Sequence, residues 1–292
     1  MVELQSVLDI IGVIIAAPLL VGLLMGVDRK ITARMQARRG PPIWQPYYDI
    51  IKLLGKDRKL INSSQALFAY AALLLQAFSL ALLAAGGDLV VVFFMSAAGC
   101  FCFVLGAFSA RSPFSHLGAQ RELLQILAYE PVLFMFIFLI GLWQGGFMAQ
   151  DVRGQMLTVL PFMVLALIPV LLIKAHKSPF DIAVAKTEIA SGPYVEYSGS
   201  YLAVTEYAHW IELAIVFGFI SLLYADPDPY LNVIGKLLLI FVLYFVVIVI
   251  DNVTTRLTRR SMVTFTLAFG ILMGVLNLIW MYLIDKGVLP WA

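Results

Sequence analysis

Charged residues are scarce in this chain of 292 residues. Asp, Glu, Lys and Arg together make up only 13% of it, whereas apolar residues make up 62%. A soluble domain of this length needs far more charge on its surface, so the composition excludes that class and indicates a polytopic membrane protein. The formal net charge is only +2, which gives no indication of a nucleic acid or another acidic polymer as a partner.

Cysteine is almost absent as well, with Cys100 and Cys102 as the two examples. Residues two apart on a helix point about 200° apart, and this spacing does not suit a shared metal ion. We therefore predict two buried, unreactive thiols, no metal ligand and no iron–sulfur cluster in this chain. No nucleophile triad or phosphate-binding loop is recognisable either, so no catalytic residue is predicted.

A basic region of the kind that begins a signal peptide is also lacking, because Glu3 and Asp9 stand near the amino terminus. The first apolar run is too long for such a peptide and is predicted to be a retained anchor. No linker or low-complexity tract divides the chain. Residues 1–292 are therefore expected to form a single integral membrane domain.

Long apolar runs are what this sequence has in abundance. A spanning helix needs about 20 apolar residues, and eight segments meet that requirement. The predicted fold is therefore all-α, with eight transmembrane helices. The fifth segment is the shortest and contains Pro161 and Pro169, so a kink is expected there. The eight predicted spans are Val7–Val27, Ala66–Ala85, Leu89–Ala110, Leu123–Trp143, Met156–Ile173, Ser200–Tyr224, Ile234–Val253 and Met262–Ile284.

The basic residues give these spans an orientation. If the eight spans alternate in direction, 17 of the 20 Lys and Arg residues fall on one side, and the other side keeps only Arg153, Lys236 and Lys286. Basic residues accumulate in cytoplasmic loops, so the first side is predicted to be cytoplasmic. The expected location is the plasma membrane, with both termini outside.

The first cytoplasmic loop, from Asp28 to Gln65, contains a helical pattern. Apolar residues recur there at i, i+3, i+4 and i+7, and Pro46 can open the helix. This pattern predicts a cytoplasmic amphipathic helix after the first span, which lies either on the membrane surface or against a partner. Its apolar positions are Tyr47, Ile50, Ile51 and Leu54.

A basic segment, Arg38-Arg39-Gly40-Pro41-Pro42, precedes that helix. This segment favours docking of another subunit over binding of a lipid headgroup. A basic segment beside an amphipathic helix suits an acidic edge of a partner protein. The residues predicted to take part in subunit docking are Arg38, Arg39, Asp49, Lys52 and Arg121.

Three carboxylates lie in the longest polar interruption of the second half of the chain, residues 174–200. They are Asp181, Glu188 and Glu196. Two strongly apolar segments flank this stretch, so the acids are held at a membrane surface, where charge usually serves a function. The structural alternative is that Asp181 and Glu196 cap helices or pair with Lys177 and Lys186.

Glu130 is predicted to lie about 10 Å inside the fourth span, counted from Leu123. A carboxylate at such depth costs about 3 kcal/mol, so a functional role is the first hypothesis. The structural alternative is a protonated side chain that donates to a backbone carbonyl freed by Pro131.

The sixth span carries Glu206, His209 and Glu212 at i, i+3 and i+6. Helix neighbours three apart touch, and an imidazole can pass a proton through its two nitrogens, so a proton relay is predicted. A satisfied buried histidine is the alternative for His209. Asp251, near the end of the seventh span, is expected to form a local ion pair with Arg256 or Arg259.

Several motifs together resemble the NuoH family, the membrane subunit at the heel of respiratory complex I and of its hydrogenase relatives. The resemblance runs through the whole chain in the family's order. The motifs are Arg39-Gly40-Pro41, Asp49-Ile-Ile-Lys-Leu-Leu54, Gly118-Ala-Gln-Arg121, Tyr129-Glu130, Ser178-Pro-Phe-Asp181, Val195-Glu-Tyr-Ser-Gly199 and Glu206-Tyr207.

Two departures from complex I narrow the resemblance. The chain lacks the longer insert after Arg-Gly-Pro, and Val184 and Lys186 stand where complex I members have glutamates. In both respects it looks like the membrane subunit of energy-converting [NiFe] hydrogenases of the Ech and formate hydrogenlyase type. The resemblance and the spacing together predict which residues couple redox chemistry to ion translocation. They are Glu130, Asp181, Glu188, Glu196, Glu206, His209 and Glu212.

The resemblance implies a set of partners and a function. The partners would be a [NiFe] large subunit, a [4Fe–4S] small subunit, a ferredoxin-like iron–sulfur subunit and antiporter-like membrane subunits. The [NiFe] centre and the [4Fe–4S] clusters would lie in these partners, and this chain would hold no cofactor. This chain would have no catalytic centre of its own. It would anchor the redox arm and couple ferredoxin-linked hydrogen chemistry to proton or sodium translocation. The alternatives are a quinone-site subunit of a complex I-like dehydrogenase and a stand-alone secondary transporter.

Overall fold

The computed structural model of the chain describes residues 2–57, 62–152 and 154–286, with side chains from residue 10 onwards. The described residues are helical or irregular, apart from an isolated bridge between Asp88 and Met148. The predictions for both chain ends and for Arg58, Lys59 and Arg153 lie outside the described residues. The helices are α1 Val2–Met35, α2 Gln45–Leu54, α3 Ser63–Ala84, α4 Leu89–Ser109, α5 Pro113–Gln144, α6 Met156–Val159, α7 Pro161–Lys174, α8 Lys186–Ile189, α9 Ser200–Ser221, α10 Pro229–Val253 and α11 Arg259–Asp285.

Seven of these helices are long and apolar enough to cross a membrane, so the chain is a multi-pass, all-helical membrane protein. They are α1, α3, α4, α5, α9, α10 and α11. The predicted fifth span, Met156–Ile173, is not one continuous helix. It breaks at Leu160 into α6, with four residues, and α7, with 14. The eighth crossing stays a prediction.

Proline explains this break. Pro161 cannot donate a backbone hydrogen bond, and it suits the first turn of a helix, where it begins α7. Fourteen residues rise about 21 Å, which is less than the hydrocarbon thickness of about 30 Å. The kink expected from Pro161 is therefore a full interruption of the helix.

Side-chain caps set the starts of several spans. The Asp88 carboxylate accepts from the backbone N–H of Val90 at 2.8 Å, and the Asp228 carboxylate accepts from that of Tyr230 at 3.0 Å. Such caps satisfy amide groups that the first turn leaves without a partner. They set the residues at which α4 and α10 begin, at the side of the bundle opposite the long polar loop 175–199.

Helices α7 and α9 form the inside of the bundle. α9 packs against α1, α3 and α10, and α7 packs against α5, α10 and α11. Leu167, Val170 and Leu171 of α7 are completely buried. By contrast, α10 and α11 expose large apolar side chains such as Leu238 and Leu272, as expected for a lipid-facing surface. Charged residues on α5, α7 and α9 are therefore shielded from lipid by other helices.

A helix is present where the amphipathic pattern predicted one. Within α2, Tyr47 and Ile50 pack against the core, while Ile51 and Leu54 are exposed. The Tyr47 ring meets Trp210 of α9 edge-on, with 5.7 Å between ring centroids. Half of the apolar face is thus used inside the bundle, and contact of the other half with a membrane or a partner stays a prediction.

Candidate functional site

A cavity of about 430 Å³ lies elsewhere in the bundle, and a polar one of about 620 Å³ is lined by three of the predicted coupling residues, Asp181, Glu206 and His209. This polar cavity, which we call the chamber, lies between α1, α9 and the loop 175–199. Its neutral lining includes Tyr194 and Tyr197. The charged and titratable residues that line it are Asp28, Arg29, His176, Lys177, Asp181, Lys186, Glu206, His209 and Arg256.

Two predicted coupling acids form ion pairs at the edge of the chamber. Arg256 pairs with Asp181 at 2.6 Å and with Glu188 at 3.2 Å. Glu188 also pairs with Arg121 at 2.7 Å, and Arg121 donates to the Ile182 carbonyl at 3.1 Å. The hydrogen bond from Arg121 lowers the pKa of Glu188, and the bond to Asp181 raises the pKa of Arg256. The partner of Asp181 is therefore Arg256, and the alternative pairing with Lys177 or Lys186 was wrong.

Lys177 joins α1 to the end of α10 at another wall of the chamber. Its Nζ lies 2.6 Å from the carboxylate of Asp28 and 3.1 Å from that of Asp251. Burial alone would lower the pKa of Lys177, but the two carboxylates raise it overall. The expected pairing of Asp251 with Arg256 or Arg259 was therefore wrong, because the polar loop folds back and brings Lys177 beneath α10.

A buried ion pair lies deeper in the bundle. Lys174, at the end of α7, is 4% exposed and forms an ion pair with Glu212 of α9. The same carboxyl group lies 3.2 Å from the Cys100 sulfur, and the Lys174 ammonium lies 4.0 Å from the centroid of the Tyr129 ring. The sequence places Lys174 among the basic residues predicted on the cytoplasmic side, and the structure shows in addition that it is the counter-ion of a predicted coupling acid.

Two histidines connect the chamber to this ion pair. His176 and His209 stack with nearly parallel rings, 4.5 Å between centroids and 9° between planes. His209 Nδ1 lies 3.4 Å from Glu212, so these two predicted neighbours are in contact. His176 Nε2 lies 3.9 Å from Glu122. A line of titratable groups therefore runs from the chamber wall into the interior.

Glu122 and His176 were missed by the sequence analysis. Glu122 follows Arg121 at the start of an apolar run, where a surface ion pair is the ordinary interpretation, and His176 lies in a turn. The ring contact between His176 and His209 joins positions far apart in sequence, so no periodicity reveals it. One carboxyl oxygen of Glu122 is buried and has no hydrogen-bond partner among the described residues.

Glu130 lies within electrostatic reach of both Lys174 and Glu212. One of its carboxyl oxygens is buried without a hydrogen-bond partner in the part of the chain that the structure describes. The structural alternative, a hydrogen bond to a carbonyl freed by Pro131, is not found there either. Glu130 is thus a half-buried acid with one buried carboxyl oxygen that forms no hydrogen bond to the described residues.

Glu206 and Glu196 have different positions. Glu206 lines the chamber one turn before His209, whereas Glu196 is half-buried outside the lining. In the described ranges, Glu196 forms no hydrogen bond or ion pair. The segment between Asp181 and Glu196 is packed, because Gly192 is buried, with a positive φ of 55°, against α5. The two acids at its ends are therefore held by a packed turn.

His176 gives the protein an expected acid sensitivity. Burial, and then the neighbouring His209, lower the pKa of His176 from 6.5 to about 3. Below pH 6.5 the unfolded chain accepts a proton that the native protein does not, so the free energy of unfolding should fall as pH drops from 6.5 towards 3. His176→Phe keeps a ring in place and should flatten this dependence.

The measurement is thermal denaturation of the purified complex between about pH 7 and pH 5, where histidine titrates. Glu122, Glu212, Lys174 and His209 face His176 and stay unchanged in the variant. If the variant and the parent protein lose the same stability as the pH falls, the acid sensitivity belongs to those groups and not to His176.

Comparison with known proteins gives a consistent picture. Residues 8–282 match the family described as NADH dehydrogenase. The chain is 33% identical to hydrogenase-4 component C of Escherichia coli (strain K12) over 209 residues, 65% of this chain and 66% of that protein. It is 30% identical to formate hydrogenlyase subunit 4 of the same organism over 265 residues, 82% of this chain and 85% of that one.

A solved structure is similar over nearly the whole chain. It is that of the membrane-bound sulfane sulfur reductase, an archaeal respiratory membrane complex. One chain of that structure aligns with a TM-score of 0.83 at 25% identity, covering 94% of this chain and 99% of that one. The arrangement of helices around the chamber therefore has a counterpart in a respiratory membrane complex.

Proposed function

Because the chain belongs to the NADH dehydrogenase family, the NuoH-like membrane subunits of oxidoreductase complexes, we propose that it is the coupling subunit of an energy-converting [NiFe] hydrogenase. In this role it anchors the peripheral redox arm and links ferredoxin-dependent hydrogen chemistry to translocation of protons or sodium ions. The similarity to hydrogenase-4 component C and to formate hydrogenlyase subunit 4 supports this class of complex. The location is the plasma membrane, with both termini outside.

The observation that carries the proposal is the line of titratable groups between the chamber and the bundle interior. Glu206 and His209 line the chamber, and His209 contacts Glu212 at 3.4 Å. An isolated acid or base inside a membrane is costly, and a connected series of them is typical of a proton pathway. Beyond Glu212 the proposed relay continues to Glu130, which passes the ion to a laterally packed antiporter-like subunit.

The coupling step begins at the chamber edge. A partner's iron–sulfur cluster docked beside the loop would supply negative charge on reduction. That charge would raise the pKa of nearby carboxylates, and a tenfold gain in their proton affinity corresponds to about 1.4 kcal/mol. Asp181 and Glu188 lie at the chamber edge, where Arg256 pairs with both of them. A proton drawn to this edge enters the chamber and is taken up by Glu206, and from there by His209.

The imidazole of His209 then transfers the proton inwards. Its two nitrogens allow it to accept on the chamber side and donate to Glu212. The ammonium of Lys174 holds the Glu212 carboxylate in place. Since stacked imidazolium rings repel each other, His176 limits the pair to one proton at a time. This makes the pair a single-proton step in the relay.

The docking surface is proposed to be the basic segment before α2 together with the exposed side of that helix. Arg38, Arg39 and Lys52 are exposed and available to an acidic edge of a partner. Asp49 and Arg121 were predicted to dock too, but they are engaged within the chain by Arg29 and Glu188. The proposed partners on this surface are the [NiFe] large subunit, the [4Fe–4S] small subunit and a ferredoxin-like subunit, which hold the [NiFe] centre and the iron–sulfur clusters. Antiporter-like subunits pack laterally in the membrane.

A quinone-site subunit of a complex I-like dehydrogenase is the second candidate. The chamber volume of about 620 Å³ favours it, because small-molecule sites commonly have about 300 to 1,000 Å³. The purified native complex distinguishes the two candidates. Nickel with hydrogenase activity supports the first, whereas stoichiometric bound quinone without nickel supports the second.

The relay is tested with Glu206→Gln in membrane vesicles that contain the whole complex. The variant should assemble and retain hydrogen chemistry with an artificial donor, while ion translocation driven by the natural donor falls by roughly a hundredfold, because the proton acceptor at the chamber wall is lost. Glu196→Gln tests entry from outside the chamber. Asp285→Asn, an exposed acid at the far end of α11, is the matched control and should translocate normally.

Unchanged translocation in Glu206→Gln would contradict the relay. A loss in both Glu206→Gln and Glu196→Gln would place the entry point at Glu196, outside the chamber, with Glu206 as the next step.

A further inference from the structure

An apolar groove of about 430 Å³ lies between α1, α3, α9 and α10. On α1 it is lined by residues from Val13 to Leu24, whereas the chamber is lined by Met25, Asp28 and Arg29. On α9 it begins at Ala214, beyond all the residues of that helix that line the chamber. The groove therefore occupies the opposite half of the bundle from the chamber and is separate from the proposed relay.

The groove has the length of one leaflet of a bilayer. Val13 and Leu24 are 11 residues apart on α1, which corresponds to about 16 Å along the helix. The hydrocarbon core of a membrane is about 30 Å thick, so the groove covers about half of it. A transmembrane helix of a partner would need a groove that continues through both leaflets.

Three polar side chains line the groove, and none of them lies at the end nearest the chamber. Gln150, Ser221 and Lys236 lie towards the ends of their elements that face away from the chamber, and the rest of the lining is apolar. Such a distribution matches a molecule with a polar head and an apolar tail. A lysine can place its stem along apolar surface while its ammonium reaches the headgroup level.

Lys236 is the one charged residue among those described in the lining, and in the described part of the chain it has no ion pair or hydrogen bond. It is half-buried about 10 Å into α10, where an unpaired cation is costly. The acids of the preceding loop are engaged elsewhere. Asp226 accepts from the backbone N–H of Asp228 at 3.0 Å, and Asp228 caps α10.

We propose that this groove binds a phospholipid of the leaflet opposite the chamber, with an acyl chain along α1 and α9 and an anionic headgroup at Lys236. The phosphate oxygens accept hydrogen bonds from the Lys236 ammonium, which gives this buried cation its counter-ion. The apolar walls select for the acyl chain but not for the headgroup. Lys236 selects for the net negative charge of the headgroup.

The test uses the purified complex in nanodiscs of phosphatidylcholine and phosphatidylglycerol, followed by native mass spectrometry of retained lipids. The parent complex should retain phosphatidylglycerol preferentially, and Lys236→Gln should reduce that preference by roughly fivefold, the effect of one basic residue at a membrane surface. Lys236→Arg should keep it. Lys286→Gln removes an exposed lysine from the end of α11 and should change nothing.

A second variant keeps the proposal testable if the headgroup effect is small. Ala17→Phe fills the groove and should release both lipids without changing their ratio elsewhere on the complex. Equal lipid retention in the parent, Lys236→Gln and Ala17→Phe proteins would overturn the proposal. So would capture of a neighbouring subunit by a photo-crosslinker at Leu237, because the occupant would then be a protein helix.

Discussion

Lys174→Met should destabilise the purified complex by about 3 to 5 kcal/mol, the usual cost of removing one partner from a buried ion pair. The substitution leaves the Glu212 carboxylate inside the bundle without its ammonium counter-ion. It also removes the cation from the face of the Tyr129 ring. Thermal unfolding of the detergent-solubilised complex measures the loss.

The double variant Lys174→Met, Glu212→Gln separates charge from packing. A neutral pair leaves no uncompensated buried charge, so stability should return towards the parent value while translocation stays lost. Lys186→Met is the matched control, because Lys186 is exposed and its change should have little effect. Equal stability of the single and double variants would show that packing of the lysine stem, and not the ion pair, stabilises this region.

The features that could be predicted from the sequence are those carried by local patterns. Long apolar runs predicted α3, α4, α9 and α11 within a few residues, because the bilayer imposes one length on all of them. The spacing of His209 and Glu212 predicted their contact, because residues three apart on a helix are neighbours. Local periodicity therefore gives the helices and the faces on which acids lie.

The features that could not be predicted depend on which elements meet. Lys174 reads in sequence as an ordinary basic residue at a helix end, and only the packing of α7 beside α9 brings it to Glu212. In the same way, the fold of the polar loop decides that Lys177, and not Arg256, pairs with Asp251. A charge has several possible partners within reach of a loop, and only the tertiary fold chooses among them.

The interrupted fifth span illustrates a different limit. Met156–Ile173 has the composition of a span, yet it forms two helices because Pro161 begins a new one. Composition measures how well a segment is tolerated in an apolar environment, and the interior of a helical bundle provides the same environment as lipid. α7 is buried among α5, α10 and α11, so its apolar sequence is explained without contact with the bilayer.

Gly118→Ala should abolish coupling although it changes no titratable group. A Cβ at this position would lie 2.5 Å from both the Gly192 Cα and the Pro193 nitrogen. These are backbone atoms that cannot rotate away, so α5 and the turn Gly192–Tyr194 must separate, at a cost of about 1 to 3 kcal/mol. The turn carries Tyr194, whose ring lies against His176 with 6.2 Å between centroids.

Displacement of Tyr194 is expected to open the chamber wall and to disturb the stacked histidines, so translocation in vesicles should fall while hydrogen chemistry with an artificial donor persists. Gly146→Ala is the matched control, because a Cβ there meets no atom within 4 Å. Gly118→Ser, which places the same Cβ against the turn, should reproduce the loss. Normal translocation in both Gly118 variants would mean that the turn moves without consequence, and the geometry of the chamber wall would then have no part in coupling.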